Sequence, residues 1–267
     1  DMAIGLGRMF GIRLPLNFNS PYKARNIVDF WRRWHLTLSR FLRDYLYISL
    51  GGNRKGPVRR YMNLYITMVL GGLWHGAGWT FVIWGSLHGA YLIVNHAWRH
   101  FRKRMGQDVK AVGSLMARFS ARTLTFFAVI LGWVFFRAKD FDAAWNILRG
   151  MGGQQGIQVN GRFQKLLGFL GENTSVAFVP ETPLFLGREE IRWIVGLLLI
   201  AFFGPNTQQL LFDHEPAFET YPREIRPHAI RWLRWKPTLP WAIALSLIAT
   251  YAILGMSTVS EFLYFQF

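Results

Sequence analysis

Hydrophobic positions fall in long blocks along this chain. Apolar runs of near-spanning length cover 61–75 (YMNLYITMVLGGLWH), 78–97, 119–136, 191–205 and 239–256. A helix crossing a bilayer squarely needs about 20 apolar residues, and several of these runs are shorter or are interrupted by glycine. They predict membrane helices, some of them buried, re-entrant or broken. A different pattern occupies 27–50 (IVDFWRRWHLTLSRFLRDYLYISL), where Phe30, Trp34, Leu38, Phe41, Tyr45 and Ile48 recur every three or four positions. The spacing predicts one amphipathic helix along or just under the cytoplasmic interface, with Arg33, Arg40 and Asp44 away from the apolar stripe. Turn-forming Asn19-Ser20-Pro21 precedes it and GGNRKGP at 51–57 ends it. No internal repeat or low-complexity segment is visible.

The polar stretches between the runs carry an orientation. Before residue 61 the basic residues, from Arg8 and Arg13 through Arg32, Arg33 and Arg60, face only Asp1, Asp29 and Asp44. Residues 98–122 hold seven basic side chains against Asp108, whereas 137–190 balances both signs. The positive-inside bias therefore places 8–60, 98–118 and 206–238 in the cytoplasm, and 137–190 and the C-terminus outside. On that topology 61–97 crosses twice or re-enters.

Composition agrees with a membrane protein. Of 267 residues 51% are hydrophobic and 17% charged, well under the roughly 25% charge of a soluble domain. The net charge of +16 would fit a nucleic-acid binder if it sat on a polar domain, but it alternates with apolar runs, so no nucleic-acid partner is expected. The absence of Cys excludes disulfides, thiolate metal sites and a cysteine acyl-enzyme. The chain opens on Asp1 without a signal-peptide pattern, which is the expectation for a chain whose N-terminal helices are missing. Its closing SEFLYFQF suits a terminus at a membrane interface.

His75 is the first candidate for chemistry, because an ionisable group at membrane depth is costly unless it faces a cavity or a partner. Gly71, Gly72, Gly76 and Gly78 surround it, leaving three options open: close backbone approach, room for a ligand, or a helix break beside a cavity. A packing histidine bonded to a neighbouring helix is the bland alternative. His35 borders the amphipathic stripe, where a solvated flank residue is the ordinary reading. His88, in GSLHGAYL, either lines the same cavity as His75 or packs helices. His96 and His100 stand four apart, as metal ligands on one helix face can. Arg99, Arg102, Lys103 and Arg104 crowd them, and HAWRH lacks the glutamate of a zinc-protease motif, so no metal is expected and the cluster reads as a headgroup-facing loop. Phosphate-binding glycine loops, a Gly-x-Ser-x-Gly elbow and dinucleotide fingerprints do not occur.

DFWRRWHLTLSRFLRDYLYISLGGNRKG followed by GGLWHGAGWTFVIWGSLHG resembles the membrane-bound O-acyltransferase family. The similarity is specific over about 1–100 and looser through GWVFFRAKDFDAAWNILRGM, GPNTQQ and SEFLYFQF. Within the family it resembles the bacterial branch that O-acetylates exopolysaccharides such as alginate or cellulose, with D-alanyl transfer to teichoic acids the neighbouring branch. The resemblance implies an all-α, polytopic transmembrane bundle around a tunnel, of which this chain is the C-terminal portion and a single membrane-embedded domain over 1–267. It places the family's catalytic histidine on His75 and its second polar position on His35. Trp31, Arg32, Trp74 and His88 complete the expected substrate-binding set.

The expected activity is acyl transfer from a cytoplasmic donor, acetyl-CoA, with no bound cofactor. The acetyl group leaves toward hydroxyls of an outer polysaccharide or toward a periplasmic relay partner, in a multi-pass protein of the bacterial inner membrane surrounded by lipid. His75 serves as general base near neutral pH while His35 orients the donor or assists proton transfer. Arg32 and Arg33 attract the donor's phosphates, although positive-inside topology alone accounts for their presence. Lipid or protein acylation keeps this chemistry and changes the acceptor. A transporter with broken helices is the rival from another class, and it expects an inverted repeat that the sequence lacks.

Overall fold

The computed structural model describes residues 1–107, 114–161, 176–179, 188–218, 225 and 231–255. In chain order the helices are α1 (Met2–Met9), α2 (Ile27–Trp31), α3 (Leu36–Phe41), α4 (Gly56–His75), α5 (Trp79–Arg104), α6 (Leu115–Arg137), α7 (Phe141–Met151), α8 (Arg188–Phe203), α9 (Thr207–Leu210) and α10 (Leu239–Gly255). Two short strands, β1 (Ile157–Asn160) and β2 (Val176–Val179), pair in parallel with Ile157 opposite Val176. The described residues are thus mostly helical, in keeping with the all-α expectation, with one short parallel pair beside the helices. The described residues form two compact units, Ser20–Gly204 and Asp1–Asn19 with Pro205 onward.

The first of these units is built on the α4–α5 hairpin. Gly76 to Gly78 link the helices, and contacts run antiparallel from Gly72 beside Phe81, through Gly85 on Met68 and Gly89 on Tyr65, to Arg60 beside His96. Glycine is what permits this approach. A Cβ on Gly72 would lie 2.3 Å from the Phe81 carbonyl oxygen, and one on Gly85 2.4 Å from that of Met68. Gly85 and Gly89 form the small-xxx-small spacing that lets membrane helices touch backbone to backbone. Of the options open for these glycines, close backbone approach is the one seen: α4 continues through Gly71 and Gly72, and the chain turns only after His75.

Residues 27–50 also depart from expectation. They do not make one helix, because α2 stops at Trp31, α3 starts at Leu36, and a π-helical turn follows at Leu42–Tyr47. The buried positions are Ile27, Phe30, Trp31, Leu36, Leu38 and Leu42, whereas Phe41, Tyr45 and Ile48 of the expected stripe are exposed. A break between the two helices shifts the phase, so a face continuous on paper is not continuous in space. The second half runs back along α4: His35 stands beside Trp74, Leu42 packs on Gly71, and Asn63 Nδ2 donates to the Gly52 carbonyl at 3.0 Å.

α6 closes the core. Val129 joins Ile27, Phe30, Trp31, Met68, Trp84 and Leu92, and Phe136 reaches the far end of the hairpin at His75. With Gly132 on His88 and Phe136 on His75, α6 begins at the end of the hairpin that carries Arg60 and Arg104. Tyr22 sits edge-on to Phe126 and Trp133. Lys23 donates its ammonium to the Gly204 carbonyl just past α8, the cation placement a helix C-terminus favours. Burial, then the Arg33 and Arg122 charges, lower the Lys23 pKa from its ordinary value.

By length and composition one described helix, α6, can cross a membrane, with a mean hydropathy of 1.7; Ile191–Phe203 and α10 are shorter apolar helices. In the second unit α10, apolar on every side, has no buried residue. The GPNTQQ segment there makes a capping box, Asn206 and Gln209 each bonding the other's backbone N–H, and Thr207 Oγ1 donates to Asp1 at 2.8 Å. The closing SEFLYFQF lies outside the described residues.

Candidate active site

The site begins with the local chemistry of α2. Asn26 caps it by accepting from the Asp29 N–H at 2.9 Å. Asp29 in turn accepts from the Arg25 N–H at 3.1 Å and from Arg33 Nε at 2.8 Å. Phe30 and Trp31 then anchor the helix in the core against His88 and Trp84. Leu36 and Leu38 of α3 are buried on a different line, so the four residues between must redirect the chain. His35 does this with φ 45° and ψ 59°, a left-handed conformation that a non-glycine residue seldom adopts and that costs about 1–3 kcal/mol. Its carbonyl accepts from the Ser39 N–H at 2.9 Å, starting α3.

That conformation sets the His35 imidazole perpendicular to Trp74, ring centroids 6.4 Å apart. Burial lowers the His35 pKa from its ordinary value, with a backbone hydrogen bond opposing more weakly, so the ring is neutral at pH 7 and able to accept a proton. His75, the last residue of α4, also stands beside Trp74, ring centroids 5.0 Å apart. Trp84 at 5.3 Å, Phe136 at 5.0 Å and Phe81 at 6.4 Å complete a cage of rings about it. Gly76 admits Phe81, since a Cβ there would stand 2.6 Å from that ring. His75 is half-buried, and aromatic packing orients it.

The structure therefore brings His35, Trp74 and His75 together, with the two imidazoles within electrostatic reach of one another. Trp74 is 62% exposed, so the cluster opens outward at the indole. Both histidines lie at the turn end of the hairpin.

Trp31 and His88 are placed differently. His88 is fully buried, boxed by Phe30, Trp31, Trp84 and Tyr91. Gly132 closes the box, for a Cβ there would come within 2.8 Å of His88 Nε2. Trp84 stands between His88 and His75, at 4.9 and 5.3 Å. His88 and Trp31 thus form a wall behind the site and do not share its opening. Arg32, exposed, caps α2. His96 is engaged by Arg60 Nη2 at 3.1 Å. A groove of about 380 Å³ lined by Tyr61, Tyr65, Ile66 and Ile93 holds neither site histidine. Sequence reasoning missed Trp84, Phe81 and Phe136. The available signal for Trp84 was its i, i+4 relation to His88, which puts both on one face of α5.

Comparison with known proteins adds the following. The family described as MBOAT, membrane-bound O-acyltransferase family, matches residues 1–131. The chain is 38% identical over 267 residues to "Peptidoglycan O-acetyltransferase" of Helicobacter pylori, covering 100% of this chain and 45% of that protein. It is 36% identical over 268 residues to "Probable alginate O-acetylase AlgI" of Pseudomonas putida, covering 100% of this chain and 49% of the relative. Over 151 residues, 57% of this chain and 28% of the relative, it is 50% identical to the protein of the same name from Azotobacter vinelandii. The chain spans about half the length of the first two relatives.

Proposed function

Because the chain belongs to the membrane-bound O-acyltransferase family, we propose that it forms the catalytic part of a bacterial O-acetyltransferase. On this reading it moves an acetyl group from cytoplasmic acetyl-CoA to hydroxyls of a polysaccharide outside the inner membrane, or to a periplasmic relay partner. The observation that carries the reading is the His35–Trp74–His75 cluster, two imidazoles on one exposed indole at the turn end of the hairpin. The names of the full-length matches, one for peptidoglycan and one for alginate, support a polysaccharide acceptor.

In the proposed reaction the neutral His75 imidazole takes the proton of the acceptor hydroxyl. The oxygen attacks the thioester carbonyl, and collapse of the tetrahedral intermediate breaks the carbon–sulfur bond. The departing thiolate recovers the proton as coenzyme A thiol. His35 orients the donor or relays that proton, Trp74 contacts substrate, and Trp31 and His88 brace Trp84 behind His75. The cage of rings excludes water from one side of His75, which limits hydrolysis of the thioester.

His75→Ala in the full-length protein tests this. Loss of a general base lowers transfer by about 100-fold to 10,000-fold while abundance and insertion stay near wild type. Unchanged acetyl transfer per folded molecule refutes the assignment. Transfer of a D-alanyl ester in place of acetyl leaves the base assignment standing and overturns the donor.

A further inference from the structure

Opposite the turn, the hairpin ends in a second cluster that the proposed chemistry does not use. Arg60 of α4 places Nη2 3.1 Å from His96 Nδ1 on α5, and the contact is partly buried. Arg99 follows three residues after His96, on the same helix face. Arg60 contacts His96 directly, and the charges of Arg99 and of Arg32, which caps the end of α2, also act on it. Among the described residues no carboxylate forms an ion pair with any of the three; the ion pairs there include Arg33–Asp29, Arg43–Asp44, Lys139–Asp140 and Arg234–Asp213.

Positive-inside topology explains basic residues on this side. It does not explain their convergence, because like charges spread apart unless something gathers them. Arginine forks match the oxygens of phosphate, and an array of them without carboxylates is complementary to a group with more than one negative charge.

We propose that Arg60, His96, Arg99 and Arg32 form a binding site for a phosphate-bearing anion at the basic end of the α4–α5 hairpin. Two sources supply this chemistry: the phosphates of a soluble acyl donor, or the phosphate headgroup of a membrane lipid. The donor arm rests on the acetyl-CoA reading above, and the lipid arm is independent of it. By the helical rise, Arg60 lies about 22 Å along α4 from His75, so the site is separate from the histidine cluster.

The test uses the full chain in nanodiscs of zwitterionic lipid. Coenzyme A binding is measured by calorimetry, and retention of doped phosphatidic acid by native mass spectrometry. Arg60→Gln with Arg99→Gln lowers at least one of the two by about tenfold or more, the scale of one lost charge-assisted bond. Arg54→Gln, which removes a charge from the loop before α4, leaves both within about twofold at near-physiological salt. Loss of coenzyme A binding assigns the donor, and loss of phosphatidic acid assigns the lipid. If neither falls, or if Arg54→Gln matches the double variant, the site is overturned. Should the double variant not fold, Arg99→Gln alone, at an exposed residue, carries the same comparison. Coenzyme A binds without acetyl transfer, so failure of the acetyltransferase reading is seen separately.

Discussion

Gly85→Ala is expected to destabilise the protein even though alanine is the better helix former. The propensity difference alone favours the variant by about 1 kcal/mol. Against it stands the geometry, since the new Cβ would meet the Met68 carbonyl oxygen at 2.4 Å and Val69 Cα at 3.0 Å. The first contact falls about 1 Å short of ordinary van der Waals separation, and both partners are backbone, so no rotamer relieves it. The helices have to part instead, and a gap of about 0.5–1 Å forfeits roughly a quarter to a half of the attraction of each facing atom pair. Overpacking of this kind costs about 1–3 kcal/mol, which leaves a net loss of up to about 2 kcal/mol after the propensity gain of about 1 kcal/mol. Gly196→Ala in α8 is the matched comparison, because no atom lies within 4 Å of its added Cβ. That variant is expected to be neutral or slightly stabilised. Thermal unfolding of both in the same detergent gives opposite signs of shift. The packing argument is refuted if Gly85→Ala melts at or above wild type. Transfer per folded molecule adds a second readout, since Trp84, one residue before Gly85, holds the His75 ring.

Two further outcomes are expected. His35 is held below its ordinary pKa of 6.5 by burial, so the folded state favours the neutral ring; its contribution is complete above pH 6.5 and is lost as pH falls below that value. Wild type therefore loses stability relative to His35→Gln between pH 6.5 and pH 5, and an equal or opposite slope in thermal melts rejects this. Asn63, 1% exposed, donates to the buried Gly52 carbonyl; Asn63→Ala strands that oxygen and is expected to cost about 1–3 kcal/mol. A melting temperature unchanged in Asn63→Ala argues that water replaces the bond.

Much of the architecture is legible in the residues. The apolar blocks at 61–75 and 78–97 became α4 and α5, and the basic flanks of the two blocks stand at one end of the hairpin. What the pattern could not carry was the turn at His35. Arg32, Arg33 and Trp34 contain no glycine or proline, and the helical phase from Phe30 to Leu38 is unbroken on paper. The break comes from tertiary packing, since Phe30 and Trp31 are committed to Trp84 and His88 while Leu36 and Leu38 are committed elsewhere. Glycines around His75 were visible as unusual and ambiguous in purpose. Their purpose depends on Phe81 and Leu42, partners that no local spacing identifies. Trp84 and Phe136 were missed for the same reason: a ring that cages a histidine looks, in a hydrophobic run, like any other core residue.

The ring cage also fixes an order of events during synthesis. Residues 27–47 leave the ribosome first, carrying a His35 conformation that nothing local favours. Trp74 and His75 follow, then Trp84, and Phe136 arrives about sixty residues after His75, an interval of about 3–12 s at 5–20 residues per second. Until α6 has been made, His75 lacks one wall and Gly132 has not closed over His88. A nascent chain arrested before α6 therefore has both histidines and no finished site, and the thioester chemistry proposed for them becomes available only once α6 is in place.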